Sequence, residues 1–361
     1  MSVGRVRPSV EELASYRPGK AASQAEAEHG ITNAIKLASN ENPFPPHPAV
    51  VQAIIAAASG VNRYGDHRAA ALRERIASWL GQPSDRIAIG CGSVGLLQQL
   101  CLTYLDPGDE VIYPWPSFEA YPINVKLMGG VPVNPPLNAD HAFDLDLVVK
   151  AVGDRTKMIF LATPNNPTGT ALSTDQLAVA IDQIPEHVLV VIDEAYREFV
   201  DSSYGDPVAD LVGRFRNVAV TRTFSKAYGL AGLRSGYLVA DPSVVTEVDK
   251  TLIAFAVNSL AQAGAMAALD NLDGIQPSID LLISERARMA AELTTAGWPL
   301  TNSQANFVYL PLGERTEEIH LAVEREGVVT RPFPGAGMRV TVGSAEENDR
   351  FLATLARVAQ P

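Results

Sequence analysis

From residue 86 onward the chain alternates short apolar runs with stretches whose apolar residues recur every three or four positions. Ile87-Ala88-Ile89 is the first run, and residues 110–113, 131–133, 158–162, 188–192 and 218–221 continue the series. Runs apolar at successive positions suit strands covered on both faces, so the pattern predicts a buried, mainly parallel sheet with helices on each side. Residues 237–240 predict a further strand entering the same sheet, antiparallel to the others. Between the runs, Leu96, Leu97, Leu100, Cys101 and Tyr104 mark the apolar face of a helix opening at Gly90-Cys91-Gly92-Ser93. Upstream, Val50, Val51, Ile54 and Ile55 define one helix, and Leu72, Ile76 and Leu80 another. Pro43, Pro45, Pro46 and Pro48 punctuate the chain before them.

Later in the chain the pattern changes. Residues 278–297 predict a long helix, with Ser278 as its cap, Ile279, Leu282, Ile283, Ala290 and Leu293 on one side, and Gly297 as its stop. Strand-like pieces at 307–310 and 338–342 and helices at 316–326 and 346–359 complete a smaller α+β unit. Residues 1–35 are polar and rich in Ala and Glu, with a break at Arg17-Pro18-Gly19-Lys20, and predict an arm without a core of its own. The expected organisation is an arm at 1–41 counted with the small domain, a large domain at 42–265, and a C-terminal small domain at 266–361 that includes the interdomain helix.

Composition narrows the function classes. A chain that is 47% hydrophobic and 19% charged can bury a sizeable interior, as a soluble enzyme does. The 29 basic against 41 acidic residues leave a formal charge of −12, which argues against nucleic acid or an anionic membrane as partner. Two cysteines, Cys91 and Cys101, with no CxxC pair, argue against a disulfide scaffold or structural zinc and point to a reducing, cytoplasmic setting. The N-terminal Met1-Ser2-Val3-Gly4-Arg5-Val6-Arg7-Pro8 lacks the apolar core of a signal peptide, and no apolar run approaches the ~18 residues of a spanning helix.

Candidate chemistry sits at or just beyond the ends of the expected strands, where open α/β sheets place ligands. Gly92-Ser93 at a helix start offers free N–H groups, a helix dipole and a hydroxyl to an anion, although a plain Ser cap explains it equally. Asn165-Asn166-Pro167-Thr168-Gly169 is a turn that can hold an amide rigidly. Asp193, in Asp193-Glu194-Ala195-Tyr196, ends an apolar run, so its carboxylate requires a partner such as a protonated ring nitrogen; Tyr196 can share that pocket. Finally, Thr223-Phe224-Ser225-Lys226 leads into a Gly-rich turn ending at Arg234. A lysine among small residues at a strand end can be desolvated, which makes it a candidate Schiff-base nucleophile, although on its own a solvated surface lysine explains the pattern too; Thr223, Ser225 and Arg234 suit a phosphate. Together these parts describe one ligand with a phosphate, a ring nitrogen, a phenolic oxygen and an aldehyde, which is pyridoxal 5′-phosphate.

With these motifs in this order, the chain resembles a fold-type I aminotransferase of the histidinol-phosphate aminotransferase family. Within it the likeness is nearest to the actinobacterial aromatic-amino-acid (phenylalanine) aminotransferases. The similarity runs from Lys36-Leu37-Ala38-Ser39-Asn40-Glu41-Asn42-Pro43 to Arg339-Val340-Thr341-Val342-Gly343. The resemblance implies a three-layer α/β/α large domain and a smaller α+β domain. It implies Lys226 as the lysine bonded to the cofactor and as proton carrier, Asp193 on the pyridine nitrogen, and Asn166 and Tyr196 on the ring oxygen. Gly92, Ser93, the Val94 amide, Thr223, Ser225 and Arg234 would hold the phosphate, and Phe118 would stack on the ring. Tyr64 matches a tyrosine that reaches the phosphate from a neighbouring subunit, which implies a homodimer with shared sites. Arg339 would grip the substrate carboxylate, with Asn40 and Arg331 nearby.

One departure bears on the branch. Many family members carry an acidic pair after the Gly-Ser of the phosphate loop, where this chain has Val94-Gly95. That change leaves the amides intact and leans toward the aromatic branch, as do residues 303–308 and 255–259. The expected activity is transfer of an amino group from an aromatic amino acid to 2-oxoglutarate by a ping-pong mechanism. Histidinol-phosphate aminotransferase of histidine biosynthesis is the alternative, since Arg331 and Arg339 can receive a carboxylate or a phosphate. A decarboxylase acting on a phosphorylated amino acid and a non-catalytic cofactor-binding regulator are further alternatives.

Overall fold

The structure, a computed structural model, describes residues 4, 6–11, 13–16 and 18–361. Arg17 of the expected break, and Met1, Ser2, Val3 and Arg5 of the N-terminal stretch, lie outside the described residues. The described residues form twelve strands: β1 (Ile35–Lys36), β2 (Ile87–Gly90), β3 (Glu110–Ile112), β4 (Val131–Val133), β5 (Thr156–Ala162), β6 (Leu189–Asp193), β7 (Val218–Thr223), β8 (Gly236–Ala240), β9 (Phe307–Leu310), β10 (Val328–Val329), β11 (Arg331–Phe333) and β12 (Gly337–Thr341). Seven of them make one sheet in the order β2-β8-β7-β6-β5-β3-β4. All neighbours in it are parallel except β8, which runs antiparallel to both β2 and β7.

The continuous apolar runs have the physical cause expected of them. Every residue of β6, β7 and β8 is buried, because helices cover both faces. Register then does the functional work. Ala162 pairs with Asp193, and Asp193 with Thr221, so the carboxyl ends of β5, β6 and β7 lie side by side. The helix Gly92–Tyr104 follows β2 directly and brings its N-terminus to the same edge.

A second unit gathers the antiparallel sheet β11-β12-β9, the parallel pair β1–β10, and the helices Thr316–Arg325 and Ala345–Val358. Ser344 and Glu347 form a reciprocal capping box at the start of the last helix. The pairing of Ile35 with Val328 ties the beginning of the chain to its C-terminal part. Residue 265, the boundary expected between the large and small parts, lies inside the helix Ser259–Leu269.

One expectation is corrected. The long helix spans Leu272–Thr295, so Ser278 lies inside it and donates its hydroxyl to the Ile275 carbonyl instead of capping an end. Pro277 immediately precedes Ser278 and lies inside the helix. Pro277 is the sixth residue of this 24-residue helix, past its first turn, so it forgoes one intrahelical hydrogen bond that the helix sustains without breaking. Among the described residues no helix is long and apolar enough to cross a membrane.

Candidate active site

A cavity of about 260 Å³ opens at the carboxyl edge of the large sheet. Its walls come from the sheet, the N-terminal helix end, the arm and β12, and they include Lys226, Asp193, Tyr196, Asn166, Phe118, Arg234 and Arg339. Residues far apart in sequence thus converge on one volume.

Asp193 forms the base of the site. Burial pushes its carboxyl up to about 6, against the opposing pull of hydrogen bonds from the Tyr121 and Thr221 hydroxyls. Those hydroxyls donate over 2.9 and 3.1 Å, to Oδ2 and Oδ1 respectively. Thr221 is placed by the β6–β7 register, and Tyr121 by stacking on Phe160 at 4.8 Å between ring centroids. No ion pair compensates Asp193 among the described residues, so an electropositive group arriving from the cavity would be strongly favoured.

Lys226 follows β7 by three residues and is half-buried. Desolvation, and next the Arg339 guanidinium, lower its ammonium to about 8. Its Nζ donates to the Ser39 carbonyl at 3.2 Å and lies 5.9 Å from the Tyr196 ring centroid. An amine with a depressed pKa is a better nucleophile and a workable proton carrier near neutrality. Asn42 Nδ2 donates to the Lys226 and Ala227 carbonyls at 3.4 and 3.1 Å, which steadies the turn that carries the lysine.

The anion cradle is built from three segments. The helix Gly92–Tyr104 has no side-chain cap at Cys91, so its first N–H groups point outward at Ser93 and Val94. Thr223 Oγ1 donates to Ser225 Oγ at 2.9 Å, and Arg234 Nη1 reaches the same oxygen at 3.4 Å. Gly92 adopts φ 69°, and a Cβ there would meet Arg234 Nη2 at 2.7 Å. Across the sheet, a Cβ on Gly236 would stand 2.6 Å from the Ser93 nitrogen, so β8 closes on the helix start only because that position is glycine.

The two asparagines of the turn divide the work. Asn165 braces it, donating to Thr168 Oγ1 and the Pro116 carbonyl while accepting from Ser117 Oγ. Asn166 faces the cavity, and its Oδ1 accepts from Arg339 Nη1, which turns the amide nitrogen toward an acceptor in the site. Tyr196 lies edge-on to Phe307 and accepts at its hydroxyl from Asn40 Nδ2 at 2.9 Å. Asn40 is itself held by Thr341, through its N–H and Oδ1.

Arg339 is only 6% exposed. Its Nη2 donates to the Ala38 carbonyl at 2.6 Å, and its Nε is buried without a hydrogen-bond partner. A buried guanidinium held only by neutral acceptors suits an incoming carboxylate. Arg331 pairs directly across the β11–β12 ladder with Arg339. It is engaged with Glu119, whose two carboxylate oxygens accept from Nη2 at 2.9 and 2.6 Å. Tyr64 does not line this cavity: it is 82% exposed and stacks on Phe255 at 4.4 Å.

Sequence reasoning missed Tyr121 and Glu119. Tyr121, three residues after Phe118 on the same helix-opening segment, was within reach of a spacing argument. Glu119 had no local signal, because its partner lies 212 residues away. As a whole the site can receive a phosphorylated heterocyclic aldehyde beside an amino acid carboxylate, with an amine placed to react and to carry protons.

Comparison with known proteins agrees with this geometry. The family model for aminotransferase class I and II matches residues 32–355. An aromatic amino acid aminotransferase of Thermobifida fusca is 47% identical over 98% of this chain and 96% of its own length. One from Mycobacterium tuberculosis is 45% identical over 96% of each. The crystal structure of histidinol-phosphate aminotransferase from Sinorhizobium meliloti in complex with pyridoxal 5′-phosphate superposes with a TM-score of 0.90, at 29% identity, over 99% of this chain and 98% of that one. An aspartate aminotransferase from Thermus thermophilus shares the fold, with a TM-score of 0.83 at 22% identity over 99% of this chain and all of that one. The chain belongs to the class I and II aminotransferases.

Proposed function

We propose that this chain is a pyridoxal 5′-phosphate-dependent aminotransferase that moves the amino group of an aromatic amino acid to 2-oxoglutarate. The observation that carries the reading is that one cavity is lined at once by Lys226, Asp193 and Arg339. The cofactor supplies an electron sink for the bond broken at the substrate Cα, and this chain's residues do the rest. Asp193 holds the ring nitrogen in its protonated form, for which its lack of a cation partner prepares it. Asn166 and Tyr196 orient the ring oxygen, and Phe118 covers the ring face. Gly92, Ser93, the Val94 amide, Thr223, Ser225 and Arg234 hold the phosphate. Arg339 fixes the substrate carboxylate, with Asn40 beside it. Lys226 Nζ is the group that would take the proton from the substrate Cα and hold it for return.

The relatives named for aromatic amino acids, at 45–47% identity over nearly the whole chain, support the substrate class. The second reading, histidinol phosphate, is favoured by the facing arginines 331 and 339. Release of a 2-oxo acid from phenylalanine, compared with turnover of histidinol phosphate under equal conditions, decides between them. The phenylalanine reaction is expected to dominate, and a preference for the phosphate ester would overturn the choice.

The active form is a homodimer in which Tyr64 reaches the partner's phosphate cradle. Its exposure, stacked on the exposed Phe255, supports this. Sedimentation at a dimer mass is expected, and a monomer with full activity would refute it. The free thiols of Cys91 and Cys101 suit a reducing cytoplasm.

A further inference from the structure

We propose that Glu119 is a specificity-determining residue: by occupying Arg331 it disfavours phosphate monoesters at that end of the cavity. The inference rests on the transaminase reading above and deepens it.

Arg331 and Arg339 face each other across an antiparallel ladder, a placement that repels unless something compensates it. The compensation is unequal. Arg339 has only the neutral acceptors Asn166 and Ala38 and a buried Nε without a partner. Arg331 gives Nη2 to both Glu119 oxygens and Nη1 to the Pro18 carbonyl at 3.2 Å, and its guanidinium lies 5.9 Å from the Phe333 ring centroid. The cavity therefore presents one guanidinium that, among the described residues, has no carboxylate hydrogen-bonded to it, which suits the carboxylate of an amino acid. A phosphate dianion would need Arg331 too, and would meet the Glu119 carboxylate there.

The Glu119 carboxylate is committed to Arg331. Glu119 is the N-cap residue of the helix Ala120–Leu127, yet its side chain makes no cap hydrogen bond. It turns instead into the cavity, beside Tyr16, Pro18 and Gly19 of the arm. A site that discriminates by placing a like charge against the wrong ligand needs only one such residue.

The test uses the cofactor-loaded enzyme and the variants Glu119→Gln and Glu119→Ala, measured side by side so that the result does not hang on the folding of one. The kcat/KM for histidinol phosphate is expected to rise about tenfold or more, the scale of one like-charge contact at a partly solvated site. Phenylalanine should stay within about threefold, since its side chain carries no charge to be rejected. Competitive inhibition by phenyl phosphate should strengthen by a similar factor, while inhibition by 3-phenylpropionate stays put. Glu119→Asp, which keeps the carboxylate, should keep the wild-type ratio. In Glu119→Gln combined with Arg331→Gln the gain should vanish, because Arg331 is the cation released. An unchanged ratio in both single variants, or a gain that persists without Arg331, overturns the assignment. A wild-type enzyme that prefers histidinol phosphate refutes the substrate reading itself. If the wild type prefers phenylalanine and the Glu119 variants keep its ratio, only the role of Glu119 falls.

Discussion

Asp193 and Glu194 are adjacent buried carboxylates at the end of one strand, and the protein treats them oppositely. Glu194 accepts from Arg222 Nε at 2.8 Å, and Arg222 also binds Asp206 at 2.5 Å, so the charge is neutralised within the chain. Asp193 points to the other side of the strand and is given only hydroxyls. Alternation along a strand sends neighbours to opposite faces, so a single dipeptide supplies one structural acid and one that awaits a ligand. The same contrast recurs between Arg331, paired with Glu119, and Arg339, which among the described residues forms no ion pair. An ionic group left uncompensated inside a fold that compensates its neighbours marks where a ligand's opposite charge belongs.

The strongest way to break this picture is at the amine. Lys226→Ala should lower kcat by more than about 10⁴-fold, the upper end of what a positioned proton carrier contributes. It should also abolish the absorbance of the covalently held cofactor; a variant that keeps either property would remove Lys226 from the chemistry.

Next, the two acids should separate cleanly. Asp193→Asn should cost about 10²–10³ in kcat, as loss of a preorganised electrostatic partner does, yet should stabilise the cofactor-free protein. The sign follows from the raised pKa, about 6 folded against 3.8 unfolded. Between those values the folded state binds more protons, so stability falls as pH rises through the window and the penalty is complete above pH 6. Removing the charge should therefore gain on the order of 2–3 kcal/mol at pH 7 and nothing below pH 4, as read by denaturant titration at both pH values. Glu194→Gln, by contrast, should retain the cofactor's spectrum and most of kcat, because Glu194 serves Arg222 and not the cavity. Equal losses of kcat in the two variants would erase the distinction.

The smallest effect is expected at Tyr121. Tyr121→Phe removes a hydrogen bond that opposes the rise in Asp193, so the Asp193 carboxyl should titrate higher still. The cost to activity should be about tenfold, in keeping with one hydrogen bond to a charged group. A pH–rate profile and the cofactor's spectral titration would register both.

Much of the site was legible locally. Lys226, Asp193, Asn166 and Arg234 stand in short motifs at strand ends, where the chain's own alternation shows which residues reach a sheet edge. The seven-stranded sheet was readable for the same reason, down to the antiparallel entry of β8. The start of the long helix was not, because Pro277 looks like a boundary wherever its missing hydrogen bond is not known to be affordable. What the sequence determined by itself is a set of elements and the chemistry each can carry, since those depend on neighbours a few residues away. Which carboxylate meets a cation, which arginine stays unmatched, and that Glu119 faces Arg331 across 212 residues were decided only by tertiary structure. Charge compensation is a property of distance in space, and register and packing set that distance.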